Sequence, residues 1–221
     1  MTKTKKRKKM PFTSLWQKEL SKELGEAKAS ELLAQVQNKY HELCANHKEI
    51  PKRALLKHLY GNIFPQMAAY KTFLEAGDPQ ESAFAKTQKL HFLTLEKMKR
   101  KYASFARFPF AFGYIRKVSP LMIKLQHPPE GWNLEWVENS KNRIDIKAHS
   151  CFYYDIIKEY GVPELTLIYC NGDDFVYDVE TPYIGWGRKT TLTRGGDWCD
   201  IIYCKKSRGK QTPEKKPAGD S

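Results

Sequence analysis

Thiols, carboxylates and an arginine recur in four short segments of the chain: "SCFYYD" (150–155), "YCNGDDF" (169–175), "IGWGRKTTL" (184–192) and "RGGDWCDI" (194–201). Ser150 reads as the N-cap of a helix, which puts Cys151 at its first position. There, unpaired backbone N–H groups and the positive helix end stabilise a thiolate. A free cysteine taken alone is more often a small, buried and inert apolar residue. Cys170 ends an apolar run and precedes Asn171-Gly172, the pair a tight hairpin turn needs. Asp173 and Asp174 follow. In an extended chain adjacent carboxylates point to opposite faces, so at most one faces inward with the thiol, placed to hold a cationic amidine-like group or to pass protons. Strict alternation along 184–192 sets Arg188 beside Ile184 and Trp186 on the apolar face. An arginine there needs an anion, either a structural carboxylate partner or the carboxylate of a ligand. Cys199 and Asp200 repeat the theme after Gly195 and Gly196, while Cys204 falls on the opposite strand face. His149 is an alternative base.

These residues need elements to hold them. From Phe12 to about Leu125 the periodicity is helical: Ala29, Leu32, Val36, Tyr40 and Leu43 share one helix face, with a break expected at Gly25. Two shorter helices are expected at about 53–62 and 65–76. A longer one opens at "GDPQES", with Asp78 as N-cap, and runs to about Tyr102. "FARFPFAFGYIRK" (105–117) interleaves aromatic and basic side chains. Such a stretch can stack single-stranded nucleic acid, but four phenylalanines beside helices favour core or a pocket wall. After Pro128 and Pro129 the period shortens to that of strands: two within 132–149, a helix from about Cys151 to Tyr160, then strands at 165–170, 174–179, 184–192 and 198–204. The expected fold is α+β, with an N-terminal helical half packed on a mostly antiparallel sheet that carries an embedded helix.

The formal charge is +13, yet the ends supply most of it. Residues 1–10 contribute six net positive charges and 205–221 contribute four, leaving three for residues 11–204. We expect a disordered basic tail at 1–10, a single domain over 11–204 (a helical part to 126, a sheet part from 127) and a second tail at 205–221. A nucleic-acid partner is therefore not expected except through the tails. No apolar run is long enough for a membrane span or a secretory signal, which predicts a cytoplasmic protein without a membrane partner. Five cysteines, odd in number and without a CxxC pair, indicate free thiols rather than a disulfide framework or a zinc finger.

The segments "CFYYDIIKEYGVPELTLIYCNGDDF" and "WGRKTTLTRGGDWCDIIY" resemble the L-2-amino-thiazoline-4-carboxylic acid hydrolase family. The resemblance rests on Cys151 opening a helix, the Gly161–Leu165 turn, Cys170 with Asp173 and Asp174, Arg188 with Thr190 to Leu192, and Gly195-Gly196 with Cys199-Asp200. It is specific over 149–203 and looser over 53–148. It implies hydrolysis of a small cyclic isothiourea carboxylate to a carbamoyl-cysteine, a bacterial-type route to cysteine, with no cofactor. On that implication Cys151 is the first candidate nucleophile and Cys170 the second. Asp174 or Asp173 would hold the amidinium and shuttle its proton, and Arg188 would bind the substrate carboxylate, with Trp186, Cys199 and Asp200 lining the site. A metal-bound water with cysteine and aspartate ligands stays open. The C-terminal part is also similar to small-molecule-binding domains related to four-vinyl reductases, which implies a binding module without catalysis.

Overall fold

The structure, a computed structural model, describes residues 9–50 and 52–206. Most of both basic ends lies outside these residues. Met10 and Lys205, at the inner edges of the expected tails, are ordered: Met10 is buried and Lys205 ends a strand. The chain divides into two compact units, Met1–Thr94 and Leu95–Ser221.

The first unit is helical. Helices α1 (Thr13–Leu24) and α2 (Glu26–Asn46) meet at Gly25, whose φ of 80° lies where residues with a Cβ are strained, so the break expected there is present. Helix α2 buries Ala29, Leu33, Val36, Tyr40 and Leu43; Leu33, rather than the expected Leu32, completes the stripe. Helix α3 (Arg53–His58) continues through a single π-helical stretch, Leu59–Ile63, into α4 (Phe64–Glu75). Gly61 and Pro65 therefore do not separate two helices as punctuation would. Pro65 follows directly on the π-helical stretch, and its missing N–H removes one bond from an otherwise continuous helix. Helix α5 (Gln80–Phe105) gives its N-terminal part to this unit, where Trp16 Nε1 donates to the Leu90 carbonyl, and its C-terminal part to the next.

The second unit is α+β. Helix α6 (Ala111–Gln126) precedes a hairpin of β1 (Leu134–Asn139) and β2 (Arg143–Ala148). Ile144, Ile146 and Ala148 point to the buried face of β2, as alternation predicts. Helix α7 (Phe152–Glu159) is followed by a 3-10 turn (Pro163–Thr166) and helix α8 (Leu167–Tyr177). Strands β3 (Ile184–Gly187) and β4 (Cys199–Lys205) complete an antiparallel sheet in the order β1-β2-β4-β3. Phe112 from α6 packs with Ile144, Ile146 and Ile184 in the core of this unit.

The strands expected at 165–170 and 174–179 do not form; that stretch is helical. Leu165, Ile168, Gly172 and Val176 are buried at intervals of three or four residues. Thr166, Ile168, Cys170 and Gly172 are also buried, and they alternate as strand residues do, so both periods run through the same apolar letters. Strand β3 is also shorter than expected, ending at Gly187 and leaving Arg188 just beyond it.

Candidate active site

Because α8 is a helix, Cys170, Asp173 and Asp174 stand three and four residues apart along one face rather than at either end of a hairpin turn. Asp174 reaches Trp186 on β3 and Asp173 reaches Arg188 just past its end. The guanidinium of Arg188, 5% exposed, is their hub. Its Nη2 donates to Asp173 Oδ2 at 2.8 Å, its Nη1 to the Cys170 carbonyl at 3.0 Å and its Nε to the Asp200 carbonyl at 3.2 Å. Asp174 Oδ1 lies 4.0 Å from the same Nε and accepts Trp186 Nε1 at 2.8 Å. The Trp186 ring lies 5.2 Å from the guanidinium carbon. Burial disfavours the arginine's charge, but Asp173 and Asp174 outweigh it and hold the pKa above the ordinary arginine value. Three of its five N–H groups are engaged by protein acceptors.

Asp200 is buried and its two oxygens face structural donors: Oδ2 accepts the Lys189 and Thr190 backbone N–H groups, and Oδ1 accepts Trp198 Nε1. This clamps the chain leaving β3 against the start of β4. Residues 191–196 then form a tight loop around a 3-10 turn (Leu192–Arg194). Gly195 has a φ of 79°, and Gly196 N donates to the Thr191 carbonyl. A Cβ built on Gly196 would stand 1.8 Å from Thr190 Oγ1 and 3.1 Å from the Thr191 carbonyl oxygen. The Gly-Gly pair thus answers two different needs, a left-handed backbone and a close chain approach. Gly196→Ala should lower stability by about 1–3 kcal/mol, the range for forced overpacking, measurable as a drop in the denaturation midpoint. An unchanged midpoint would show that the loop yields freely.

This loop joins two of the thiols. Leu192 N donates to Cys199 Sγ at 3.2 Å, and Thr193 Oγ1 lies 3.4 Å from Cys170 Sγ. Arg194 Nη2 donates to Asn171 Oδ1 at 3.0 Å, a second tie from the loop to α8. Thr191 Oγ1 lies 3.0 Å from Thr193 Oγ1. Thr193, Asn171 and Arg194 were not legible as site residues. The one signal for Thr193 was its place directly after the Thr-Thr-Leu run, since its role depends on how the loop folds back.

Cys151 is the N-cap of α7, one position earlier than expected, and Ser150 Oγ instead accepts the Asn133 N–H. The expected thiolate stabilisation does not prevail. Burial pushes the Cys151 thiol up to about 12, against the pull of the Tyr154 and Tyr153 backbone N–H groups, and the nearby Cys199 and Cys170 push it further. Burial likewise raises Cys170 against the influence of Arg188 and Thr193, and raises Cys199 against the Leu192 N–H. Cys151, Cys170 and Cys199 therefore sense one another, and ionising one opposes ionising the next. Protein crowding raises the Asp173 pKa and Asp174 adds to it, while Arg188 lowers it; the side chain keeps 52% of its surface exposed, so a strong rise is not expected. His149 Nε2 pairs with Glu135 on β1, and Cys204 Sγ lies 3.5 Å from Arg143 Nη1, on the opposite face of β4 from Cys199.

Alkylation of Cys151 by iodoacetamide should be slow at pH 7 and climb about tenfold per pH unit through pH 10 without a plateau, because the raised pKa leaves little thiolate below it. A plateau near pH 8, read by peptide mass spectrometry, would mean that the helix terminus outweighs burial.

Among the described residues no group of three or more histidine, cysteine, aspartate or glutamate side chains is arranged to hold a metal ion. The clefts of about 550 and 210 Å³ belong to the first unit, on α1–α2 and on α1, α4 and α5, and no site residue lines them. The smaller is lined by the Lys86–Asp78 and Lys89–Glu19 ion pairs; the thiols, aspartates and arginine of the candidate site all stand in the second unit.

A family model described as L-2-amino-thiazoline-4-carboxylic acid hydrolase matches residues 56–203, about two thirds of the chain. Comparison with the curated proteins gives no match.

Proposed function

The chain belongs to the L-2-amino-thiazoline-4-carboxylic acid hydrolase family, and from that premise we propose that it hydrolyses a small cyclic amidine or isothiourea bearing a carboxylate. The observation that supports this most is the gathering of Cys151, Cys170 and Cys199 beside the Arg188–Asp173–Asp174 hub. In 2-amino-thiazoline-4-carboxylate, the carbon between sulfur and two nitrogens is the electrophile. Either an activated water adds to it and one ring bond at that carbon breaks, or a thiolate adds, the ring bond breaks and water then displaces the enzyme thiolate; on both routes net addition of water gives a carbamoyl-cysteine.

The surroundings suit a cationic amidinium. Asp173 and Asp174 both face the single Arg188 guanidinium, and Asp173 is the carboxylate most open to solvent. In this reading it holds the amidinium and carries the proton to the leaving ring atom, a role worth about 10²- to 10⁴-fold in rate. Cys151 attacks only after its raised thiol has given up its proton to solvent base. Cys170 is the second candidate nucleophile. Arg188 holds Asp173 and the Cys170 carbonyl in place and offers its remaining N–H groups to the substrate carboxylate, with Trp186 beneath.

A binding module without turnover is the second reading, favoured by the raised thiol pKa values and by the engagement of Arg188 with protein acceptors. The two part in one experiment. The acid, its amide and the amidine lacking a carboxylate are each offered to the purified chain, with loss of the ring followed by chromatography and binding by calorimetry. Hydrolysis of the acid, with the amide and the truncated amidine turned over at least about tenfold more slowly, supports the proposal. Binding of the acid without ring opening leaves the module, and neither binding nor turnover of any of the three defeats both.

A further inference from the structure

The aromatic-basic stretch 105–117 plays no part in the site, and the structure divides it in an informative way. Phe112 enters the core of the second unit, and Ile115 and Ile123 pack against that core from the same side of α6. The opposite side of α6 is apolar as well, and it faces water. Phe110 is 61% exposed, Tyr114 55%, Leu121 62% and Leu125 61%. Steps of four, seven and four residues set these four within an arc of roughly 60° of the helix surface. Lys117 and Lys124 flank the same arc and are exposed. Phe108, half exposed, stacks on Phe110 at 5.4 Å between ring centroids. A single exposed leucine needs no explanation, but a continuous row does.

Charge selects the occupant. Residues 97–129 hold eight lysines and arginines and no acidic residue. A second copy would bring two such basic faces together, and a polyanionic strand would give the leucines nothing apolar to enter. An anionic lipid surface meets both requirements, since aromatic and aliphatic side chains sink to the acyl boundary while lysines stay among the phosphates. We propose that the outer face of α6, with the Phe108–Phe110 turn before it, docks the protein on an anionic lipid bilayer. This is association with a surface and needs no span, in keeping with the finding that no described helix is long and apolar enough to cross a membrane.

The test is sedimentation of the full chain with phosphatidylcholine vesicles containing about 30% phosphatidylserine, beside vesicles of phosphatidylcholine alone. Binding to the anionic vesicles that falls with added salt is expected, with weak binding to the neutral ones. Lys117→Gln with Lys124→Gln should weaken it about 25-fold, the ratio for two basic side chains at an anionic surface. Leu121→Glu with Leu125→Glu should weaken it about tenfold or more while leaving the melting temperature unchanged. Because these variants retain both basic ends of the chain, unaltered vesicle binding would assign the affinity to the ends and overturn the proposal. Equal binding to neutral vesicles would also overturn it. So would a dimer dissolved by the leucine pair without any vesicle binding, or a single-stranded oligonucleotide that binds this face in place of vesicles.

Discussion

Arg188→Ala should lower the stability of the folded chain by about 3 kcal/mol, one of the largest losses expected from any single side chain of the site. Arg188 is almost fully enclosed and its three nitrogens reach Asp173, the Cys170 carbonyl and the Asp200 carbonyl. Removing it leaves two buried carbonyls short of a donor and one carboxylate without its cation. The value sits at the lower end for a broken buried pair because Asp173 keeps half its side chain in solvent, where water compensates part of the lost charge. Arg188→Lys should fall between the variant and the parent, since one ammonium cannot reach three acceptors spread around a planar fork. Denaturant titration of the three proteins gives the answer. If Arg188→Ala lost less than about 1 kcal/mol, the range of an exposed pair, the hub would be dispensable to the fold. Arg188 would then be available to a ligand carboxylate, as the sequence alone also allowed.

The second large effect falls on turnover. In the proposed reaction Cys151→Ser should reduce the rate of ring opening by about 10²- to 10⁴-fold while shifting the melting temperature little, because serine fits the same N-cap position and caps helices well. A hydroxyl is a much poorer nucleophile than the thiolate it replaces. The pH dependence has a definite sign. With the resting thiol pushed up to about 12, the reactive fraction grows as pH rises, so turnover in the free enzyme should increase from pH 6 to pH 9. Turnover that peaks near pH 7 would point to a base other than solvent hydroxide setting the thiolate, with the substrate nitrogen or Asp173 the nearest choices. Should Cys170→Ser abolish turnover while Cys151→Ser leaves it intact, the nucleophile moves to α8.

What the sequence made legible was set by periodicity. Strand β2 has clean alternation at Ile144, Ile146 and Ala148; α7 has a stop at Gly161; and the α1–α2 break has a glycine that must adopt a left-handed backbone. Helix α8 was missed because its letters fit two periods and because Asn171-Gly172 favours a turn on local grounds. Glycine inside a helix costs about 1 kcal/mol relative to alanine. Burial of Leu165, Ile168 and Val176 outweighs that local preference, as tertiary packing commonly does for helices. The same error hid the relation between Cys170 and the two aspartates. Read as a turn, they diverge; on a helix they share a face. The residue types of the site were visible, and its loop was not. The reason that Gly196 must be glycine is a contact with Thr190, which depends on how the chain returns on itself and which no local pattern records.

The most direct measurement is product analysis in ¹⁸O-labelled water with L-2-amino-thiazoline-4-carboxylate as substrate. The wild-type chain should yield carbamoyl-cysteine carrying one labelled oxygen in the carbamoyl carbonyl, as net hydrolysis at the carbon between sulfur and nitrogen requires. Cys151→Ser, folded to the same melting temperature, should yield almost none. An intact ring after prolonged incubation with the wild-type protein, or equal product from the wild type and from each of the Cys151, Cys170 and Cys199 serine variants, would contradict a thiol-dependent hydrolase built around Arg188.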